Sequence, residues 1–437
     1  MKVSSETSAL PNRDSASSRK STMSRGLTVM FAIASGMSVA NVYFAQPLLD
    51  TLAHDFSISR AVVGGVVTST QVGCALALLL LVPLGDRVDR RRLMAWQLLA
   101  LVGALIVVAT APSTPVLLAG MLAVGMLGTA MTQGLIAYAA SAALPEEQGQ
   151  VVGMVQGGVF IGLLLARVFA GGISDIAGWR GVYVSSAILM LAIALPLWRR
   201  LPALSRDPNA LSYPRLIASM LTLLRQDKVL QVRGILALLM FADFNIFWSA
   251  LVSPLSAPPY NFHHTAIGAF GLAGALGALA AARAGHFADR GYAQYTSAAA
   301  LLILLVAWWP ISLLGQSLWA LVIGIVLLDL GGQALHVTNQ SLIFRNRPEA
   351  SSRLVGLYMI FYAVGSGLGA ISTTVTYAHA GWQGVCVLGA AVSLLALAFW
   401  GSPASSRPAT NKEEGSHPTP PGSWWGVNLI ASDADLR

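Results

Sequence analysis

Long apolar runs alternate with short polar segments along most of the chain. A helix needs roughly 20 predominantly apolar residues to cross the hydrocarbon of a bilayer, because every backbone amide has to pair within the segment. Twelve runs reach this length, which predicts an all-α integral membrane protein with twelve spans. Spans 1 to 12 are predicted at about residues 28–49, 61–84, 93–112, 115–140, 149–173, 181–198, 230–253, 265–286, 295–314, 317–341, 352–377 and 383–401.

Composition agrees with a membrane protein. The 437 residues are 55% hydrophobic and only 11% charged, with a mean hydropathy of +0.66. This balance excludes the ordinary soluble globular classes. The two cysteines, Cys74 and Cys386, lie in different spans, and neither has a Cys or His cluster beside it. We therefore expect no metal site, no disulfide and no cofactor.

The basic residues indicate the orientation of the chain. If both termini lie on one side, all but three of the 27 Lys and Arg residues lie on that side; the exceptions are Arg60 and Arg180 on the other side and Arg167 within span 5. An excess of Lys and Arg marks the cytoplasmic face. We expect a multi-pass protein of the cell inner membrane with both termini cytoplasmic. The basic residues are scattered over the cytoplasmic loops, which argues against nucleic acid as a partner.

An internal repeat divides the chain into two halves. The Asp-Arg pair of "GDRVDR" after span 2 recurs in "GHFADRG" after span 8, and "GWRGVY" recurs as "GWQGVC", both at an offset of 203 residues. Each half contains an even number of spans, so both have the same orientation and are related by an axis along the membrane normal. The predicted organisation is a disordered cytoplasmic tail over 1–25, six-helix bundles over 26–198 and 230–401, a cytoplasmic linker with an amphipathic helix over 199–229, and a second disordered cytoplasmic tail over 402–437.

The segment "VPLGDRVDRRRLM" after span 2 resembles the Asp-Arg turn of the major facilitator superfamily, which reads Gly-x-Leu-Ala-Asp-Arg-x-Gly-Arg-Arg. Val82 and Asp89 stand where the family has glycine. The resemblance covers about residues 26–401. Within the superfamily, the chain is distantly similar to the drug/proton antiporter branch. The resemblance implies a twelve-helix fold of two parallel six-helix repeats, with a central cavity lined by spans 1, 4, 7 and 10.

The resemblance also implies a conformational latch at the cytoplasmic ends of the halves. Asp86 would contact the first turn of span 11, where Arg353 lies, and Asp289 would contact the start of span 5. Such contacts need the cytoplasmic ends to touch, so they would stabilise the state that is open to the outside. Alternatively, Asp86 only neutralises the neighbouring arginines for folding. The candidate latch residues are Asp86, Arg87, Arg90, Arg91, Asp289 and Arg290.

Two of the 19 acidic residues lie deep within spans: Asp243 in span 7 and Asp329 in span 10. An ionisable group in the hydrocarbon costs at least ~2.5–3.5 kcal/mol on insertion scales, so it usually lies in a cavity, is paired or is functional. Burial favours the neutral acid over the carboxylate. Both acids are therefore candidates to bind and release a proton during transport.

Span 10 contains four polar residues at spacings of four, three and four: Asp329, Gln333, His336 and Gln340. This spacing places them in one polar stripe on one helix face. The stripe could instead bond to neighbouring helices. Aromatic rings near Asp243 suit an organic cation, or an apolar molecule beside a proton site, but packing explains them equally well. The candidate substrate-binding residues are Asn41, Tyr43, Gln46, Gln133, Arg167, Asn245, Trp248, Gln333, His336 and Gln340.

Arg167 lies well inside the outer end of span 5. The drug/proton antiporters that the chain resembles have a Gly-Pro motif at the positions of Arg167 and Val168, and an arginine at the position of Val124. Both departures argue against drug antiport. Three roles remain open for Arg167: binding an anionic substrate, pairing with one of the two deep acids, or extending outward toward Asp175.

Together these features predict a secondary active transporter that moves a small organic solute by alternating access, coupled to protons, with efflux favoured. No nucleotide-binding pattern such as G-x-x-x-x-G-K-[ST] occurs, so ATP is not the direct energy source. Uniport and organic-anion import are the alternatives. A non-transporting sensor or a membrane enzyme fits less well, because we expect no folded soluble domain and find no catalytic cluster at one depth. We expect a monomer whose partners are its substrate, protons and the lipid bilayer.

Overall fold

The computed structural model describes residues 24–59, 61–85, 88–144, 147–201, 213–287, 292–346 and 351–402, and the regular elements within these ranges are helical. This confirms the predicted all-α class. Nearly all of both predicted tails lies outside the described residues. So do four of the candidate latch residues, Asp86, Arg87, Asp289 and Arg290.

The helices follow the predicted spans closely. Spans 1 and 7 are each a long helix continued by a short one, and span 2 is α-helical at both ends with a π-helical turn at Ala77–Leu81 between them. Further 3-10 turns lie at Gln46–Leu48 and Leu313–Gly315. The α-helices are α1 (Arg25–Tyr43), α2 (Leu49–Asp55), α3 (Gly65–Leu76), α4 (Val82–Leu84), α5 (Arg90–Ala109), α6 (Thr114–Ala142), α7 (Gln148–Arg200), α8 (Tyr213–Gln226), α9 (Lys228–Ala250), α10 (Val252–Ser256), α11 (His264–Phe287), α12 (Ala293–Ser312), α13 (Leu318–Asn346) and α14 (Ser351–Gly401).

Two helices, α7 and α14, each contain two predicted spans. Each is broken by one glycine with positive φ, Gly178 at 70° and Gly381 at 60°, a conformation that other residues adopt only under strain. Phe44 of span 1 packs against Phe169 before the break and against Tyr183 after it, which shows that the chain reverses at Gly178. The two glycines are 203 residues apart, so the predicted repeat coincides with a repeated backbone turn.

Each half contains a close crossing of two helices at a glycine that has an equivalent in the other half. In the first half α1 crosses α7, where a Cβ on Gly162 would lie only 2.5 Å from the Cα of Gly36. In the second half α9 crosses α14, where a Cβ on Gly365 would overlap the carbonyl group of Leu238. Gly365 follows Gly162 by 203 residues. Small residues let membrane helices approach at backbone distance, and both halves use the same position for it.

The two halves meet through a second pair of equivalent contacts, α3 with α14 and α7 with α11. A Cβ on Gly64, just before α3, would overlap the carbonyl oxygen of Ala370, and a Cβ on Gly268 would overlap that of Arg167. Ala370 follows Arg167 by 203 residues. The backbone packing is therefore similar at the two contacts, but of the two equivalent residues Arg167 is charged and Ala370 is not.

The amphipathic helix of the linker, α8, lies on the C-terminal half. Its apolar residues Leu216, Met220 and Leu223 are buried in a cluster with residues of α9, α13 and α14. On its other side the Tyr213 hydroxyl donates a hydrogen bond of 2.9 Å to the carbonyl oxygen of Leu80 in span 2. The linker helix therefore contacts both halves at the end that the charges predict to be cytoplasmic.

The described part of the loop after span 2 packs against its own half. The Asp89 carboxylate caps α5 by accepting hydrogen bonds from the backbone N–H groups of Arg91 and Arg92. Arg90 donates to α6, and Arg91 donates to the carbonyl oxygen of Trp198 and lies over its ring. Asp89 thus starts a helix, which explains an acid in place of the glycine of the family pattern. The latch itself stays a prediction.

The glycine crossing of the first half predicts a change in stability. A Cβ on Gly158 of α7 would lie 2.6–2.7 Å from backbone atoms of Ala32, whereas a Cβ on the adjacent Gly157 would meet nothing within 4 Å. Gly158→Ala should therefore lower the melting temperature of the purified protein by several degrees, because overpacking costs about 1–3 kcal/mol. Gly157→Ala is the control and should melt at or above the wild-type temperature. Equal melting of both variants would contradict the close crossing.

Candidate functional site

The chain between α1 and α2 places two polar side chains at the junction of the halves. α1 ends at Tyr43, and a 3-10 turn with Pro47 near its start begins at Gln46. The Gln46 amide donates a hydrogen bond of 3.0 Å to the Oδ1 atom of Asn245 on α9. The hydroxyl groups of Tyr43 and Tyr362, on α14, bond to each other. Both contacts join the N-terminal half to the C-terminal half.

Arg167 of α7 lies at the same junction. Its side chain is only 3% exposed, and its Nη2 atom donates a hydrogen bond of 2.9 Å to the Oε1 atom of Gln46. The guanidinium carbon lies 3.9 Å from the ring centroid of Trp248 on α9, a cation–π contact across the halves, and 5.7 Å from that of Tyr43. The side chain therefore points into the junction and does not extend toward Asp175.

Asp329 of α13 approaches Arg167 along α11. A Cβ on Gly271 would lie 3.4 Å from the Arg167 Cδ atom, and a Cβ on Gly274 would lie 2.5 Å from the Asp329 Oδ2 atom. Residues three apart are neighbours on a helix face, so the two charged groups lie about one turn apart along α11. Opposite charges at this separation attract each other in a low-dielectric interior. Asp329 is 5% exposed, and its Oδ2 atom has no hydrogen-bond partner among the described residues.

Asp243, the other deep acid, lies elsewhere. Its carboxylate accepts hydrogen bonds from the Trp308 indole on α12, at 3.0 Å, and from the Ser393 hydroxyl in the last part of α14, at 2.7 Å. All three residues belong to the C-terminal half. The structure thus brings Asp329 near Arg167 and places Asp243 within the C-terminal bundle.

The remaining candidate residues are spread over several contacts. Asn41 faces span 6, because its Oδ1 atom accepts a hydrogen bond of 2.7 Å from Ser186. His336 bonds through Nδ1 to the Tyr358 hydroxyl at 2.9 Å, next to the ring of Phe241. The glutamines Gln133, Gln333 and Gln340 are half-buried on α6 and α13.

Three polar residues of the interior had no distinguishing signal in the sequence. Tyr362 binds Tyr43, and Gln71 of α3 is buried against Gly367 of α14. Arg233, near the start of span 7, is buried, although the charge count places it with the cytoplasmic Lys and Arg residues. It donates hydrogen bonds to side chains of α12 and α13. Tyr and Gln occur singly in many spans, so only their partners reveal their place.

The halves are joined at the end that the charges predict to face outward. The carboxylate of Asp50 accepts hydrogen bonds from Ser253 and Ser256 across the junction, at 3.2 and 2.9 Å. Asp175 accepts from the backbone N–H groups at the start of α11, at 3.2 and 2.9 Å, and from the Thr265 hydroxyl. His264 lies 3.4 Å from Asp175 and 3.2 Å from Thr51. These contacts close the junction on that side of Arg167.

The packing described so far is two equivalent six-helix halves with a polar junction between them. The family model for the Major Facilitator Superfamily matches residues 31–314 and 234–432. The chain belongs to this superfamily. It is therefore a membrane transporter of that type.

Two relatives illustrate its place in the superfamily. The uncharacterized transporter YgaY of Escherichia coli O157:H7 is 41% identical over 378 residues, which cover 86% of this chain and 95% of the relative. The probable transporter SCO4007 of Streptomyces coelicolor is 31% identical over 365 residues, covering 83% and 84%. A solved bacterial homologue of the human lysosomal transporter Spinster, in an inward-facing and occupied conformation, shares the fold with a TM-score of 0.70 at 14% identity, covering 86% of this chain and 95% of that one.

The junction of this transporter draws on more helices than the resemblance implied. Spans 1, 7 and 10 contribute Gln46, Trp248 and Asp329, as expected for helices that line the centre. Span 5 adds Arg167 and span 11 adds Tyr362. Both additions come from the helices that cross spans 1 and 7 at glycine contacts, which is why their side chains reach the centre.

The closed end of this transporter depends on Asp175 more than on the nearby Asp55. Asp175 binds the other half, whereas Asp55 accepts hydrogen bonds of 2.7 and 2.8 Å from Trp179 and Arg180 of its own half. Asp175→Asn should open this end more often, because hydrogen bonds to a charged group contribute about 1.5–3 kcal/mol. Asp55→Asn is the matched control.

The measurement is the rate at which an impermeant maleimide labels Ser249→Cys in a background without the native cysteines. Ser249 is 4% exposed and lines a small cavity between the halves at this end. We expect Asp175→Asn to raise the labelling rate at least several-fold and Asp55→Asn to leave it unchanged. Equal rates in both variants would show that the contact across the halves does not hold this end closed.

Proposed function

We propose that this chain is a secondary active transporter that moves a small organic solute by alternating access and is driven by protons that bind Asp329. It works as a monomer in the cell inner membrane, with both termini cytoplasmic, an orientation supported by the excess of Lys and Arg on one side. The observation that carries the proposal is the position of Asp329, about one helical turn along α11 from Arg167 of the other half.

The two charges belong to different halves, which makes their interaction sensitive to the transport cycle. Arg167 lies on α7 of the first half and Asp329 on α13 of the second. In a low-dielectric interior the attraction between opposite charges depends strongly on their distance. A conformational change that moves the halves therefore changes the free energy of the ionised acid.

Conversely, protonation of Asp329 changes the equilibrium between the conformations of the two halves. A proton from the water on one side neutralises the carboxylate and removes its attraction for the Arg167 guanidinium, which stays charged. A ligand can shift a two-state equilibrium only by its different affinity for the two states, and the changing distance to Arg167 supplies that difference. Release of the proton on the opposite side completes the cycle.

Asp243 is the natural comparison. It accepts two hydrogen bonds, from Trp308 and Ser393, within one half. Movement of the halves against each other leaves these contacts intact. We therefore assign the coupling proton to Asp329, and to Asp243 the connection of α9, α12 and α14.

The test uses the full-length protein in proteoliposomes, with a transported solute found first by a counterflow screen of small organic solutes. Asp329→Asn should abolish accumulation against a gradient under an imposed pH difference, because the amide cannot bind the proton. Exchange at equal concentrations should continue in part. The direction of accumulation relative to the pH difference distinguishes export from uptake.

Asp243→Asn is the matched control, since it makes the same change at the other deep acid. It should keep proton-driven accumulation and lower the melting temperature of the protein. Wild-type accumulation by Asp329→Asn would remove this acid from the mechanism. Counterflow without any accumulation by the wild-type protein would establish uniport instead.

A further inference from the structure

The Arg167 guanidinium is a buried charge without an ion-pair partner among the residues that the structure describes. The ion pairs of the described residues include those of His54, Arg92, Arg180 and His264, and none of these pairs involves Arg167. Arg167 is 3% exposed, and Asp329 lies beyond ion-pair distance, about one helical turn away along α11. Removing one partner of a buried pair is strongly destabilising because a buried charge needs compensation. A second negative group would complete this site.

Two hydrogen-bond donors at the same place have no acceptor. Both Nε of Arg167 and Nε1 of Trp248 are buried and lack a partner among the described residues. The Trp248 ring stacks on the guanidinium at 3.9 Å, so the two N–H groups belong to one contact. A buried donor without an acceptor costs about 1–3 kcal/mol. Two such donors beside a cation that has no ion-pair partner among the described residues make a site that is short of acceptors and of negative charge.

The fixed and the variable charge at this site differ in kind. A guanidinium stays protonated in proteins, so Arg167 is positive throughout the cycle. Asp329, about one helical turn away along α11, is neutral when it holds a proton. With a proton on Asp329 the site has a net positive charge, and it attracts an anion most strongly in that state.

We propose that the transported solute is an organic anion whose acidic group accepts hydrogen bonds from Nε of Arg167 and Nε1 of Trp248. The inference rests on the proposed function, since it names the substrate class of the same site. The anion and the ionised Asp329 compete to compensate Arg167. Binding of the anion therefore accompanies protonation of Asp329, and the two move together.

The experiment measures equilibrium binding to the full-length protein in detergent, by calorimetry and by thermal shift. The probes are two sets of matched compounds that differ only in charge: benzoate, benzamide and benzylammonium, and hexanoate, hexanamide and hexylammonium. We expect a carboxylate to bind roughly tenfold or more tightly than its amide and its amine, because only the anion compensates Arg167. Equal or tighter binding of the amide or the amine would overturn the proposal, as would no binding by either carboxylate.

Variants of the two donor residues connect the binding to this site. Arg167→Gln should remove carboxylate binding, and Arg167→Lys should weaken it several-fold, because lysine keeps the charge but lacks the planar fork. Trp248→Phe keeps a ring under the guanidinium and removes the N–H donor, so it should weaken binding without loss of folding. Arg180→Gln is the control, since Arg180 binds Asp55 at the closed end. Wild-type affinity in Arg167→Gln would place the anion elsewhere and overturn the proposal.

Asp329→Asn separates this proposal from the proposed function. It imitates the protonated acid, so it should bind the carboxylate at least as tightly as the wild-type protein and lose the dependence of affinity on pH. Retained carboxylate binding together with wild-type accumulation in Asp329→Asn would leave the anion site standing and reject proton coupling at this acid. Proton-driven transport by a protein that prefers the amide or the amine would reject the anion site alone.

Discussion

The buried positive charge of Arg167 is the constraint on which the junction of the halves depends. Moving such a charge out of water costs several kcal/mol unless neighbouring groups compensate it. The groups around it come from separate elements: the side-chain carbonyl of Gln46 after α1, the Trp248 ring on α9 and, about one turn along α11, the Asp329 carboxyl group on α13. Glycines of α11 leave the space in which the two charges approach. One side chain thus links helices of both halves.

The backbone packing repeats in the two halves, but the charges of Arg167 and Asp329 do not. The glycine crossings and the breaks at Gly178 and Gly381 repeat at an offset of 203 residues. At the equivalent positions, however, Ala370 stands for Arg167 and Met126 for Asp329. If both halves carried the same charges at equivalent positions, a movement of the halves would change both sets of interactions in the same way. With one charge in each half and no counterpart, the same motion changes the interaction between Arg167 and Asp329.

The partners of the two deep acids could not be predicted from the sequences of their helices. Asp243 and Asp329 are each the only acid in a predicted hydrophobic span. Their partners differ because the two helices present them to different neighbours: α12 and the last part of α14 for Asp243, and α11 for Asp329. A helix that is apolar on all sides gives no periodic signal for which face meets protein and which meets lipid. Only the packing of the helices decides that orientation.

The sequence by itself determined the helical class, the spans, the twofold repeat and the family resemblance, because length, apolar content and offset are properties of the chain alone. It also singled out Arg167, Asp243 and Asp329, since a charge inside a span is conspicuous whatever surrounds it. Among the other candidates, Tyr43, Gln46, Asn245 and Trp248 meet at the junction, whereas Asn41 faces span 6. The tertiary structure alone decided this sorting, and it alone added Tyr362 and Gln71. Proximity between residues far apart in the chain depends on how two helices cross and rotate, and that is set by contacts between both partners, which neither span encodes separately.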